Sequence, residues 1–376
     1  MRAIHRVASV LAFAVYTLLF VEVFIRIFDP QTIEPRYITG APWGVRHNIP
    51  GAIYVHTTPE STAHFSINQQ GMRDPRNFAF AKPPGLCRVE VYGDSFFMGY
   101  EVEREQGYAA QLEQKLKERG YTVEVLNLSV SGFGQAEMLK TYEAFGRRFG
   151  PDLVVVSWHD TDVDDNVRAQ LYKVQGKNLV AYKPTYLPMV STQDWLSRHW
   201  LYTEIADHSH AYAFFREALG ARAKTLLASV RKQEAAGPED TEAAAEAPST
   251  RKPEQAALEL SEAIWNKFQD EVMADQAQMV VVEIPKRIDR STYVSMLAKL
   301  PPTFWGHFNV VSPLAEFQRM AAGRPEIYYE KGGARHFTPL GNSVAASLTA
   351  DEIARSGQLS RCREPRVAQQ DRHPRP

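Results

Sequence analysis

The chain has 376 residues, enough for one large domain or two ordinary ones, and its 44% hydrophobic and 23% charged content is that of an ordinary globular protein. A formal net charge of −1 leaves no basic excess to track phosphates, which argues against a nucleic-acid binder. Two cysteines, Cys87 and Cys362, are too few for a disulfide scaffold or a cysteine-rich zinc site.

The first element in chain order is an apolar run from Val7 to Phe28, preceded by Arg2, His5 and Arg6. Its 22 positions make a helix of roughly 33 Å at 1.5 Å per residue, enough to cross a bilayer core. Glu22 and Arg26 interrupt its far end four residues apart, where they can pair on one helix face or reach toward headgroups. The run ends in "FIRIFDPQT", which offers no small-x-small cleavage site. Residues 1–28 are therefore read as an uncleaved signal anchor rather than a cleaved signal or a soluble amphipathic helix. The early arginines favour a cytoplasmic N-terminus. A single-pass membrane protein is expected, with its main domain extracytoplasmic and, in a Gram-negative host, on the periplasmic side of the inner membrane.

Residues 29–85 are rich in Pro, Gly and polar side chains and read as a membrane-proximal strap with short extended pieces, "GAIYVHTT" and "AHFSINQQGMRD". Its scattered His47, His56 and His64 read as surface or packing residues rather than ligands.

The main domain is expected over 86–357, beginning with a β-α-β pattern. "CRVEVYG" is a strand, "GYAAQLEQKLKERG" a helix closed by Gly120, "YTVEVLNLS" a second strand, "QAEMLKTYEAFGRRF" a helix and "PDLVVVSW" a wholly apolar third strand. Residues 195–232 show helical periodicity with many aromatics, and a low-complexity Ala/Glu/Pro/Thr insertion around 232–256 reads as a disordered or loosely helical excursion. A helix ("AALELSEAIWNKFQDEVMADQ"), a strand ("QMVVVEIP"), a helix ("STYVSMLAKLP"), a short strand ("FNVVSPL") and a final helix after "RHFTPLGN" complete the domain. The polar tail 358–376 is expected to fray. Strands alternating with helices predict a three-layer α/β/α sandwich with a mostly parallel, flavodoxin-like sheet, its ligand crevice beyond the carboxyl ends of the strands. "GDS", "NLSVSGFGQ" and "HDTDVDDN" each come directly after such a strand, so three loops converge on one edge.

Four blocks, "GDSFFMGYEV", "LNLSVSGFGQ", "PDLVVVSWHDTDVDDN" and "RHFTPLGN", occur in the order and at about the intervals of those in SGNH/GDSL hydrolases. The chain resembles that family over about residues 60 to 355, and more narrowly its membrane-anchored bacterial members, which carry an "N-x-x-G-x-R" segment before the GDS block, here "INQQGMRD". The resemblance implies Ser95 as nucleophile, His336 as base, and Gly132 as second oxyanion donor beside the Ser95 N–H, with Gly134 a rival. The chemistry agrees: a serine at a strand-to-helix corner exposes its hydroxyl but needs a base, and a glycine lets backbone approach closely. Asp94 and Asp162 are assigned supporting roles.

Two positions depart from the family pattern. Thr161 stands where the family has an asparagine donor, so either Thr161 substitutes with its hydroxyl or His159 takes over. Loss of such a donor costs roughly 3–4 kcal/mol of transition-state stabilisation. The acid usually found three or two residues before the histidine is replaced by Gly333 and Ala334, leaving Glu330 as the nearest acidic residue in sequence. "DTDVDDN" fails as an EF-hand, because its sixth position is Asp165 and its twelfth Leu171; Asp162 and Asp165 are expected to hold the loop through backbone hydrogen bonds. With no P-loop and no G-x-G-x-x-G, neither metal nor nucleotide cofactor is implied. Cys87 opens the first strand at the end away from the site, and the last helix returns Cys362 toward that end, so a Cys87–Cys362 disulfide is expected in an oxidising compartment.

The expected activity is acyl-ester hydrolysis on a glycan or lipid substrate outside the cytoplasm. The alternatives are O-acyl transfer to cell-surface polysaccharide, or a catalytically weakened binding or assembly protein on the same fold.

Overall fold

The computed structural model describes residues 2–219, 222, 253–323, 326–330 and 336–363. Gly333, Ala334, the insertion up to residue 252 and the tail from 364 onward lie outside the described residues.

Helix α1 (Arg2–Phe28) opens the chain, and its apolar span Ile4–Phe28 is long enough to cross a membrane, with almost none of it buried against the protein. The strap then forms two antiparallel hairpins, β1 (Ile38–Gly40) with β2 (Arg46–Asn48) and β3 (Ile53–Thr57) with β4 (Thr62–Ser66). Along β4 the side chains alternate, Ala63 and Phe65 facing in and their neighbours out, as a pleated strand with one wet face requires. The inward pair packs with Ile67 against Met98 and Tyr100, so this segment is a wall laid on the main domain rather than a loose strap.

The main domain begins at β5 (Cys87–Tyr92), followed by α2 (Ser95–Met98), α3 (Tyr108–Glu118), β6 (Val123–Asn127), α4 (Gln135–Ala144), β7 (Leu153–Trp158) and α5 (Asp162–Ala169). A small hairpin, β8 (Tyr172–Gln175) with β9 (Asn178–Ala181), leads to α6 (Val190–Leu196), α7 (Trp200–His208) and a helix over 210–219, α8. After the insertion come α9 (Pro253–Ala274), β10 (Gln278–Glu283), the two-residue strands β11 (Lys286–Arg287) and β12 (Tyr293–Val294), α10 (Pro302–Trp305), β13 (Asn309–Val311), α11 (Leu314–Ala321) and α12 (Pro339–Ser356).

Five of these strands form one parallel sheet in the order β13-β10-β7-β5-β6. Numbered along the chain, that is the doubly wound order 2-1-3-4-5. Every side chain of β5 and β7 is buried, as a sheet covered on both faces demands. Helices α4 and α9 cover one face, with Tyr142, Trp265 and Phe268 packed on Tyr92 and Trp158. Helices α3, α11 and α12 cover the other, with Leu112, Leu116, Phe317 and Ala345 packed on Val89, Val91 and Val155.

Two expectations are corrected. Residues 291–301 do not form a helix: buried Glu283 draws the Ser295 hydroxyl and the N–H groups of Met296 and Leu297 onto one carboxylate oxygen, and only a 3₁₀ turn over Leu297–Lys299 remains. The tail does not fray at once: Leu359 is buried, and Cys362 is joined to Cys87 by a disulfide with Cα atoms 5.7 Å apart.

Candidate active site

Strand β5 stops at Tyr92, and the chain turns through Gly93 and Asp94 into α2, whose first residue is Ser95. A Cβ at Gly93 would lie 2.7 Å from Phe97 Cβ and 2.9 Å from Ser157 Oγ, so only glycine lets the corner close against β7. Asp94 caps the turn, its carboxylate accepting the Phe96 N–H at 2.9 Å. Phe96, Phe97 and Met98 are buried below, and Ser95 is left partly exposed.

His336 approaches from the loop before α12. Its Nε2 is 2.7 Å from Ser95 Oγ, and its Nδ1 is 2.9 Å from Glu101 Oε2. The His336 backbone N–H donates to the same Glu101 oxygen at 3.3 Å. An ionised carboxylate only accepts, so Nδ1 carries the proton in this contact and Nε2 turns its lone pair to the serine hydroxyl. Glu330 turns elsewhere, to Arg287 at 3.5 Å and to Arg290. The orienting acid is thus buried Glu101, six residues after the serine, and not a residue just ahead of the histidine. The sequence did hold a clue: Glu101 is the only charged residue between Ser95 and Val102.

Glu101 sits on a loop that belongs to no strand or helix and is fastened by the strap. The Arg73 guanidinium, buried 3.6 Å from the centre of the Phe65 ring, donates to the carbonyls of Met98 (3.1 Å), Gly99, Val102 (2.6 Å) and His64 (3.1 Å). Burial lowers its pKa to about 10, which still leaves it charged at neutral pH. His56 donates from Nδ1 to the Tyr100 carbonyl at 2.7 Å, and burial holds its pKa below the usual histidine value. The "N-x-x-G-x-R" segment thereby acquires a physical role. Asn68 receives the N–H groups of Gln70 and Met72 at 2.9 Å each, shaping the turn that delivers Arg73.

The second loop is tied to the serine corner by the Val130 N–H, which donates to the Gly93 carbonyl at 3.1 Å. Gly132 has φ +75°, and a Cβ there would lie 2.9 Å from Arg46 Nη1. Arg46, also from the strap, donates to the carbonyls of Ser131 (3.1 Å) and Gly132 (2.6 Å) and pairs with Glu137 at 2.9 Å. Burial raises the Glu137 pKa to about 6 against the pull of Arg46. Neither the Ser95 nor the Gly132 N–H has a hydrogen-bond partner among the described residues. The Gly134 N–H donates to Glu137 at 3.4 Å, which sets that rival apart.

The third loop follows β7 and carries Thr161. Its hydroxyl donates to Asp165 at 3.0 Å, so its proton is already committed. The His159 ring is 4.8 Å from that of Phe96, which in turn is 4.9 Å from the ring of His336. His159 Nδ1 is 3.4 Å from Asp94 and Nε2 3.2 Å from Asp160. Buried Asp162 accepts the His159 N–H and the Gln135 amide at 2.6 Å each; burial first, then the neighbouring Asp94 charge, raises its pKa. Asp165 holds the loop through side chains, Thr161 and Arg168, rather than through backbone groups.

No family model matches the chain, and no curated protein is similar enough to match it. Among solved structures it is similar to esterase EstA from Pseudoalteromonas sp., inhibited by monoethylphosphonate, at 10% identity over 72% of this chain and 97% of that one, with a TM-score of 0.35. A GDSL-like lipase from Bacteroides thetaiotaomicron is similar at 11% identity over 72% and 88%, TM-score 0.34. A catalytic mutant of Axe2, an acetylxylan esterase from Geobacillus stearothermophilus, is similar at 11% over 71% and 93%, TM-score 0.37. At TM-scores below 0.4 the superpositions are partial, so the chemistry of the site rests on strand order and side-chain geometry.

Proposed function

We propose that the protein is a membrane-anchored serine ester hydrolase acting outside the cytoplasm. The observation that carries this reading is the unbroken chain from Ser95 Oγ through His336 to buried Glu101, with contacts of 2.7 and 2.9 Å. Ser95 Oγ attacks the ester carbonyl while His336 Nε2 takes its proton, and Glu101 stabilises the imidazolium that forms. The N–H groups of Ser95 and Gly132 face the developing oxyanion; Thr161 and His159 are both engaged with carboxylates, so the backbone donors carry that role. Collapse expels the alcohol, protonated by His336, and leaves the acyl group on Ser95. Water then releases the acid; a sugar hydroxyl in its place would make the same intermediate an O-acyl donor.

The location rests on two further supports. Helix α1 is tied into the folded domain through Glu22, which accepts the N–H groups of His210 (3.1 Å) and Ala211 (2.9 Å), an arrangement that a cleaved leader would forfeit. The Cys87–Cys362 disulfide suits an oxidising compartment. Acylated glycans or lipids at the membrane's outer face are the substrates that such a site would meet.

Labelling with a fluorophosphonate tests the reading directly. Wild type is expected to form a serine adduct, and Ser95→Ala none. A folded wild type that stays unlabelled would mean that the corner serine is not activated, leaving a binding or assembly protein on a hydrolase frame.

A further inference from the structure

Helices α7 and α8 meet the end of α1 at the elbow between them, α6 comes just before them, and all three carry large apolar side chains left exposed among the described residues. Exposure is 58% at Trp195, 75% at Trp200, 56% at Leu201, 51% at Phe215 and 62% at Leu219. Single exposed apolar residues are ordinary, but a cluster of this size on consecutive helices marks a surface that meets something other than water.

The contacts to α1 say what that is. The elbow between α7 and α8 is bound to the last two turns of the apolar helix: Ser209 Oγ donates to Glu22 at 2.7 Å, and Arg26 donates to the His208 carbonyl at 2.7 Å. Just beyond the helix, the Gln31 N–H donates to His210 Nδ1 at 2.9 Å. Glu22 stands six residues before Phe28, about 9 Å along the axis. The span Ile4–Phe28 has 25 residues, about 37 Å of helix against a hydrocarbon core of about 30 Å, so Arg26 reaches the headgroup layer and Glu22 lies at the edge of the core beneath it. The elbow, and the helices on either side of it, are held at that depth. Tryptophan and other amphipathic aromatics favour this layer, and a helix lying in it buries its apolar face to about 5–10 Å.

We propose that α6, α7 and α8 form an interfacial platform, seated in the phospholipid surface of the leaflet from which α1 emerges. This rests on reading α1 as a membrane anchor. The platform also bears on the chemistry. Glu217 of α8, Phe28 and Asp29 at the end of α1, and Glu101 and His336 of the site line one cavity of ≈ 740 Å³. The histidine–acid side of the site thus opens where lipid headgroups would lie, and an ester presented at the bilayer surface reaches it without crossing bulk water.

The test uses the full chain in phosphatidylcholine/phosphatidylglycerol nanodiscs. The disulfide occupies both native cysteines, so each introduced cysteine is the sole thiol for a nitroxide label. Labels at Leu201→Cys and Phe215→Cys are compared with Val15→Cys in α1 and with Arg355→Cys on the exposed last turn of α12, by relaxation with oxygen and with a nickel chelate. The oxygen-to-nickel accessibility ratio at 201 and 215 is expected to be several-fold above that at 355 and to approach that at 15. If position 15 reports lipid while 201 and 215 report water, the platform is overturned and the anchor stands. If position 15 also reports water, the anchor reading fails and takes the platform with it. Labels at 201 and 215 shielded from both reagents would place a protein surface over the helices, which also overturns the proposal.

Discussion

Ser95 and Glu101 stand six residues apart in the chain, yet the molecule holds them by different means. The serine corner is a product of the sheet: β5 ends there, Gly93 lets α2 close on Ser157 of β7, and Asp94 caps the turn. The acid loop has no regular structure of its own and is held by backbone carbonyls clasped by Arg73 and His56, both from the strap. The difference teaches that the corner serine is a property of the sandwich, whereas the carboxylate that meets His336 depends on a segment outside it. The length of chain between α1 and the main domain is then part of the site's support.

The sharpest way to break this comparison is at the acid itself. Glu101→Gln keeps the shape but offers His336 no negative charge, and should lower kcat about 10³- to 10⁴-fold with little change in KM, read from p-nitrophenyl acetate turnover. A loss under about tenfold would mean that His336 does not rely on this contact. Next comes the clasp. Arg73→Met strands several buried carbonyls, and a small shift of Glu101 is enough to slow turnover, so a fall of about 10- to 100-fold in kcat is expected. Partial recovery in Arg73→Lys, which restores charge and some donors, would separate positioning from mere unfolding; equal loss in both variants with equal loss of Tm would count against a positioning role. The smallest effect on turnover belongs to the far end of β5. Cys87→Ser with Cys362→Ser should cost about 2–4 kcal/mol of stability, seen as a lower Tm, and leave kcat at 25 °C unchanged. A turnover defect there would show that the serine corner is not as independently braced as its contacts suggest.

How much of this was legible beforehand followed the physics of each part. The strands β5, β7 and β10 announced themselves because a sheet buried on both faces needs unbroken apolar runs, and "PDLVVVSW" and "QMVVVEIP" are such runs. Ser95 and His336 were legible because a strand end and a helix start are local signals. Glu101 was not, because a search confined to positions near the histidine assumes that partners in space are neighbours in sequence. The strap's role was hidden for a related reason: its hairpins are too short to reveal what they pack against, and Arg73 and Arg46 act on carbonyls, which any sequence supplies. Residues 291–301 were misread as helix because apolar spacing reveals nothing of a distant carboxylate, Glu283, that claims the backbone N–H groups first.

The Cys87–Cys362 bond spans a sequence separation of 275 residues and so turns almost the whole main domain into a covalent ring. A single proteolytic cut anywhere between those two positions linearises the ring without producing two separate polypeptides. Such a nick would pass unnoticed on a non-reducing gel and appear only once a thiol is added, and for a cut between 95 and 336 the piece bearing His336 would stay tethered to the piece bearing Ser95 until then.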